Sequence, residues 1–410
     1  MIEKILNFVK SQKPTTWLTF LGLYLIAVGL SVLVFSFVLP KGGISLNIGS
    51  SRSKIKQNLP KTQACPINGM MYTQPEKDVW SARRPVATMI ENHADSRPQS
   101  GLSDADVVYE AVAEGGITRF LSIFYCGVAG ADTKAAPIRS ARIYFVNLAA
   151  GYGKSPVFLH QGGANDFCSD CPGGVKPYGQ ISSKVDAYAA LDKLGWRNGE
   201  LGNDFDGGFN IGFPVVVRDQ YRLGSEPALW EHSVVADMDE VYKEAAKRGF
   251  NYKDGDGNPW TQGFRAWKFD NGSASSKPTA SDISFQFWDN QPDYNVEWKY
   301  DSVSNTYKRF DGGKAHTDWN FDKPQIAASD VVVMFVKEQG PVDEEKHMYY
   351  EVIGEGDALV FKNGTVIQGT WKKDSQLDRE VFYDKNGAEI TLTRGPIWVE
   401  LVPAGNEIKY

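Results

Sequence analysis

Four polar clusters between residues 91 and 163 hold the side chains that could do chemistry. The first comprises Glu91, Asn92, His93, Arg97, Gln99 and Ser100. It follows an apolar run and supplies amides, one titratable imidazole and one fixed cation. The second runs from Glu110 to Arg119. In a strand, Glu110, Val112 and Glu114 would share one face, and two carboxylates on one face suit acid/base work, cation binding or pairing with arginines. Thr118 and Arg119 follow the Gly115-Gly116 pair, which marks a tight turn. The third is Arg139, Ser140 and Arg142, just before a helical pattern. Ser140 could cap that helix, and free N–H groups beside two guanidiniums make an anion site. The fourth, His160-Gln161-Gly162-Gly163, ends a buried apolar run. Open α/β sheets place ligands at such strand ends. His232 is a possible further partner.

Each cluster also has a plainer reading. Asn92, Ser100 and Pro98 suit an ordinary capped turn. The Glu110–Glu114 face could be a solvent-facing strand edge. Arg139 and Arg142 could simply bridge to Glu110 or Glu114. A lone histidine is usually structural. The four clusters together nevertheless point to one arginine-rich pocket. Its ligand-binding set is Asn92, His93, Arg97, Gln99, Ser100, Glu114, Thr118, Arg119, Arg139, Ser140, Arg142, His160, Gly162, Gly163 and His232. If the pocket is catalytic, His93 or His160 is the base candidate, and Glu110 or Glu114 the acid.

Several chemistries are demoted by the sequence. It contains no Gly-x-Ser-x-Gly elbow, no P-loop and no His-Glu-x-x-His pair. Asp254-Gly-Asp256-Gly-Asn258 starts like a calcium loop, but Pro259 and Arg265 fall where Gly and Glu are needed. No metal or cofactor is expected. Net charge is −6 over 410 residues, with no Lys/Arg run, so no nucleic-acid partner is expected.

The elements that would position these clusters follow an apolar leader. Trp17 to Leu39 carries no charge and is long enough to cross a bilayer as one helix. The membrane is therefore an expected partner through Trp17–Leu39, with residues 1–16 as a cytoplasmic tail. Lysines and arginines flank the span almost equally, so charge bias leaves its orientation open. Residues 40–82 read as a flexible stalk. Residues 83–270 mix apolar runs with helical patterns and read as an α/β (α+β) domain. Helices are expected over 142–150, 185–194 and 238–248, the last capped by Asp237. From 281 to 410 the pattern is mostly antiparallel β, with a hairpin signal at Asn363-Gly364. This part is either a second domain or strands completing a sheet begun earlier. Four cysteines, Cys65, Cys126, Cys168 and Cys171, suit disulfides in an exported body, with the pairing open.

The segments RPVATMIENHADSRPQSGLSDADVVYEAVAEGGITRFLSIF (84–124), APIRSARIYFVNLAAGYG (136–153) and HQGG (160–163) resemble the YerB-like family of bacterial lipoproteins. DALVFKNGTVIQGTWKK (357–373) and RGPIWVELVP (394–403) extend the resemblance across the body. The resemblance implies an N- and a C-terminal domain of unknown function on an exported, membrane-attached protein. It also implies a lipidated cysteine, where this chain has an apolar span instead. An insert around Cys168–Asp206 departs from the pattern. The resemblance supplies no catalytic residue. It implies only that Asn92, His93, Arg97, Glu114, Arg119, Arg139, Ser140, Arg142 and His160 belong to one motif set. The leading expectation is a cell-membrane, extracytoplasmic protein binding an anionic or glycan-bearing envelope ligand. The competing expectations are an envelope hydrolase or transferase and a protein-interaction scaffold.

Overall fold

The computed structural model describes residues 58–165, 181–199, 201–320 and 324–410. The apolar span Trp17–Leu39 and the cysteines Cys168 and Cys171 lie outside the described residues. Among the described residues no helix is long and apolar enough to cross a membrane.

The molecule is α+β, with few helices and many strands. One large mixed sheet organises it. Its first strands are β1 (Val86–Glu91), β2 (Val107–Glu114), β3 (Ile117–Phe124), β4 (Val157–His160) and β5 (Asp204–Asp206). β1 is buried at every position because β3 flanks it antiparallel and β4 parallel, so its VATMIE run faces protein on both sides. β2 and β3 form a hairpin through Gly115 and Gly116, both at positive φ (57° and 85°), which explains that glycine pair.

The second half supplies β6 (Asp282–Phe285), β7 (Val296–Asp301), β8 (Thr306–Asp311), β9 (Asp330–Gln339), β10 (Gly354–Lys362), β11 (Thr365–Lys373), β12 (Val381–Asp384) and β13 (Ile397–Pro403). The large sheet runs β12-β11-β10-β9-β13-β2-β3-β1-β4-β5. β13 is parallel to both of its neighbours, β9 and β2. Strands from both sequence halves therefore share one sheet and one core. β6, β7 and β8 build a smaller antiparallel sheet. It packs on the large one through Trp298 and Trp398, whose rings are 5.3 Å apart.

Asn363-Gly364 closes the β10–β11 hairpin with φ of 54° and 79°, as the sequence signal required. Among the described residues the α-helices are α1 (Gln74–Trp80), α2 (Ile143–Ala149), α3 (Ala187–Lys193) and α4 (Met238–Lys247). Asp237 caps α4, accepting hydrogen bonds from the Asp239 and Glu240 amides.

The stalk expectation fails at its C-terminal end. Gln63–Ala64 pairs with Met71–Tyr72, and α1 follows. Thr73 and Glu76 form a reciprocal capping box with Pro at the helix start, and Trp80 packs on Tyr72 and Tyr125. Thr-x-x-Glu with a proline inside it is a readable helix start, but the polar surroundings hid it. Cys65 and Cys126 are disulfide-bonded and tie this segment to the end of β3.

Candidate functional site

The expected pocket residues separate into four neighbourhoods. The first is a buried polar network between the two sheets. Asn92, at the end of β1, is fully buried. Its Nδ2 donates to Thr118 Oγ1 at 2.7 Å and Asp311 Oδ2 at 3.0 Å. Its Oδ1 accepts from Arg97 at 3.0 Å and Gln99 at 2.9 Å. Arg309, on β8, is fully buried and pairs with Glu110 and with Asp311 at 3.1 Å. Arg309 also donates to His316 Nδ1 at 2.6 Å, which leaves His316 Nε2–H to donate to Gln99 Oε1 at 2.8 Å. Burial and the adjacent Arg309 hold His316 neutral, well below the usual imidazole range. Burial raises the carboxyls of Glu110 and its neighbour Glu400. Ser100 joins through backbone bonds to Ala136 at 2.8 and 3.1 Å. Asn92, Gln99, Ser100, Glu110 and Thr118 are thus buried in a network that braces the two sheets.

The second neighbourhood surrounds His160. The sequence placed this imidazole at an open strand end, but it has no exposed surface. β5 covers it, pairing parallel to β4. His160 Nδ1 meets Gly162 O at 2.7 Å, and Nε2 meets Asp204 Oδ1 at 2.5 Å. Both partners only accept, so both ring nitrogens donate. Burial opposes that charge, but Asp204 and Asp206 raise the pKa. Arg197 bridges the same two aspartates at 2.8 and 3.0 Å. The glycine pair has a packing reason. Gly162 sits at φ 73°, and a Cβ on Gly163 would meet the Tyr188 ring at 2.7 Å. This arrangement excludes His160 as a base open to substrate.

The third neighbourhood is an open groove of about 250 Å³. Glu114, Arg119, Arg139, Ser140, Arg142, Gly163, Asn165 and His347 line it. The β-hairpin delivers Glu114 and Arg119, the loop before α2 delivers Arg139 and Ser140, and Arg142 is the N-cap of α2. Glu114 joins Arg119 at 2.7 Å and also pairs with Arg142. Burial works against the Glu114 charge, yet Arg119 and Arg142 hold its carboxyl down at about 2. Arg119 Nη1 also donates to Ser140 O at 3.1 Å. Ser140 was expected to cap α2. Instead its hydroxyl donates to Gln161 O at 3.2 Å, and α2 has no side-chain cap. Arg139 is 31% exposed and uses Nε on Glu91 at 3.0 Å.

The sequence reading missed His347. Its Nδ1 lies 3.0 Å from Asp343 Oδ2, and burial followed by Arg142 lowers its pKa. It reaches the groove because residue 347 bridges the strand at Glu114. No local signal announces that pairing.

The depressed Glu114 pKa has a measurable consequence. Its folded value, about 2, lies below the ordinary 4.5. The carboxylate therefore stabilises the fold above pH 4.5, and that contribution is lost as pH falls toward 2. Acid unfolding of Glu114→Gln is expected to show a flatter pH dependence across that window. An unchanged slope would show that the clamp adds nothing.

The fourth neighbourhood pairs His93 with His232. Their rings stack with centroids 5.0 Å apart. His232 Nδ1 lies 2.8 Å from Glu91 Oε2, whose other oxygen holds Arg139.

A protein-family model described as "Protein of unknown function (DUF3048) N-terminal domain" matches residues 70–194, and its C-terminal counterpart matches 283–399. Together they span more than half of the chain. The chain belongs to this family. It is 29% identical over 343 residues to the "Putative lipoprotein YerB" of Bacillus subtilis, covering 84% of this chain and 87% of that protein. The crystal structure of YerB protein from Bacillus subtilis superposes with a TM-score of 0.62 at 25% identity, over 85% of this chain and all of that one. The family match includes β1 to α3, so it contains the groove-lining residues Glu114, Arg119, Arg139, Ser140, Arg142 and Gly163.

Proposed function

We propose that this is an extracytoplasmic protein, held at the membrane by Trp17–Leu39, whose groove binds an anionic group of a cell-envelope glycan or polymer. One observation carries the reading. Arg139 and Arg142, with Arg119 from twenty residues earlier, line one groove beside Ser140. Glu114 neutralises part of that charge, while Arg139, bonded to Glu91 through Nε, is 31% exposed. A guanidinium offers donors in a fork that matches carboxylate and phosphate. Resemblance to a lipoprotein supports attachment to a membrane.

The test uses the full-length protein in detergent with soluble peptidoglycan fragments and with inorganic phosphate as probes. Arg139→Ala is expected to weaken binding about tenfold or more, the value of a lost charge-assisted hydrogen bond. Added salt should weaken it further. Binding indifferent to both changes refutes the reading.

An envelope hydrolase or transferase is the second reading, and one observation favours it. His347 lies on the groove with Nδ1 turned to Asp343, the arrangement of an oriented neutral base. His93 and His160 do not join it there. A protein-interaction scaffold would present an exposed aromatic patch over 281–403. Among the described residues of that stretch, the exposed large apolar side chains are Val303, Ile353 and Leu377, none of them aromatic.

A further inference from the structure

We propose that His93, Asp95 and His232 form a binding site for a first-row divalent cation of the zinc type. One ligating atom from each residue lies within 4.8 Å of the other two. Ligands around zinc sit about 2.0–2.2 Å from the metal, so a modest closure of these side chains brings all three into range. Two imidazoles and a carboxylate are a borderline-soft donor set that suits zinc, nickel or copper better than calcium or magnesium. Three protein ligands leave one position open, as in zinc sites that bind water or a small ligand.

The surroundings make this more than an accidental cluster. His232 is 3% exposed, and its Nδ1 lies 2.8 Å from Glu91 Oε2. An ionised carboxylate accepts, so Nδ1 donates, and in the metal-bound form Nε2 is the nitrogen left to ligate. A histidine whose second nitrogen donates to a carboxylate is the usual outer support of a metal-ligating imidazole. Glu91 is itself fixed by Arg139 at 3.0 Å, so the support is rigid. His93 Nδ1 accepts the Asp95 amide at 3.2 Å and lies 3.8 Å from Asp95 Oδ2, so ligation through Nδ1 exchanges that amide bond for the metal.

The two loops that bring these residues together are tied by one buried arginine. Arg222 donates to His232 O at 2.8 Å, to Pro98 O at 3.0 Å and to Ser96 O. It thereby locks the turn after His93 to the turn ending in His232. Entry is from solvent, because Asp95 is 67% and His93 34% exposed at their side chains. Arg139 and Arg222 are cations close by, and Glu91 faces both electrostatically. Asp95 then supplies the charge that favours the incoming ion.

Zinc chloride titrated into untagged full-length protein, followed by calorimetry, tests the site. The expected result is one zinc per chain, weakened about tenfold or more in each of His93→Ala and Asp95→Asn. Asp95 is exposed and His93 partly so, so the metal-free melting temperature should stay near the parent value and confirm folding. Glu91→Gln, which keeps the shape but removes the supporting charge, should weaken zinc without abolishing it. Absence of zinc binding overturns the proposal. So does zinc binding that His93→Ala and Asp95→Asn leave at parental strength.

Discussion

Arg309→Met is expected to cost about 3–5 kcal/mol of unfolding free energy, the usual consequence of leaving buried carboxylates without their cation. Arg309 has no exposed surface and serves Glu110, Asp311 and His316 together. Its guanidinium also lies 4.8 Å from the Trp398 ring centre. Methionine can fill the volume but supplies no charge. The measurement is chemical denaturation monitored by tryptophan fluorescence, since Trp298 and Trp398 line the same interface. Adding Glu110→Gln to Arg309→Met should recover part of the loss, because one orphaned charge disappears. A loss below about 1 kcal/mol, within reach of an exposed ion pair, would show that the network is not a structural brace.

The second large effect is the disulfide. Replacing both Cys65 and Cys126 by alanine is expected to cost about 4 kcal/mol, from the chain entropy released by opening a loop of this span. The two cysteines are 61 residues apart in sequence and both are buried. Their loop contains α1, β1, β2 and β3, the centre of the large sheet. Removing both sulfurs prevents the survivor from pairing with Cys168 or Cys171. Unfolding midpoints in denaturant, compared without reductant, give the value. If the double variant unfolds at the parental midpoint, the segment before β1 is held by packing alone.

What the sequence revealed was local. The apolar run before Asn92 is β1, and the Gly115-Gly116 and Asn363-Gly364 turns are hairpins because both positions need positive φ. Asp237 does start a helix. What it concealed was long-range. Parallel insertion of β13 between β2 and β9 involves no turn that a short window can detect. The partners of Asn92 and Gln99, which are Asp311 and His316, come from more than two hundred residues away. Without them, Asn92 and Gln99 looked like ligand contacts. His160 misled for the same reason, since Asp204 arrives on a strand of only three residues. The arginine trio was legible as a group, but the clamp of Arg119 and Arg142 on Glu114 required the hairpin's geometry.

The position of β13 also governs how the chain can be made. β2 is hydrogen-bonded to β3 on one edge and to residues 397–400 on the other. A growing polypeptide therefore exposes an open, apolar β2 edge until nearly four hundred residues have emerged. Open apolar edges recruit other strands and aggregate. The first half therefore cannot be sealed early as an independent unit. Completion of the sheet becomes a late event, set by the arrival of the last long strand.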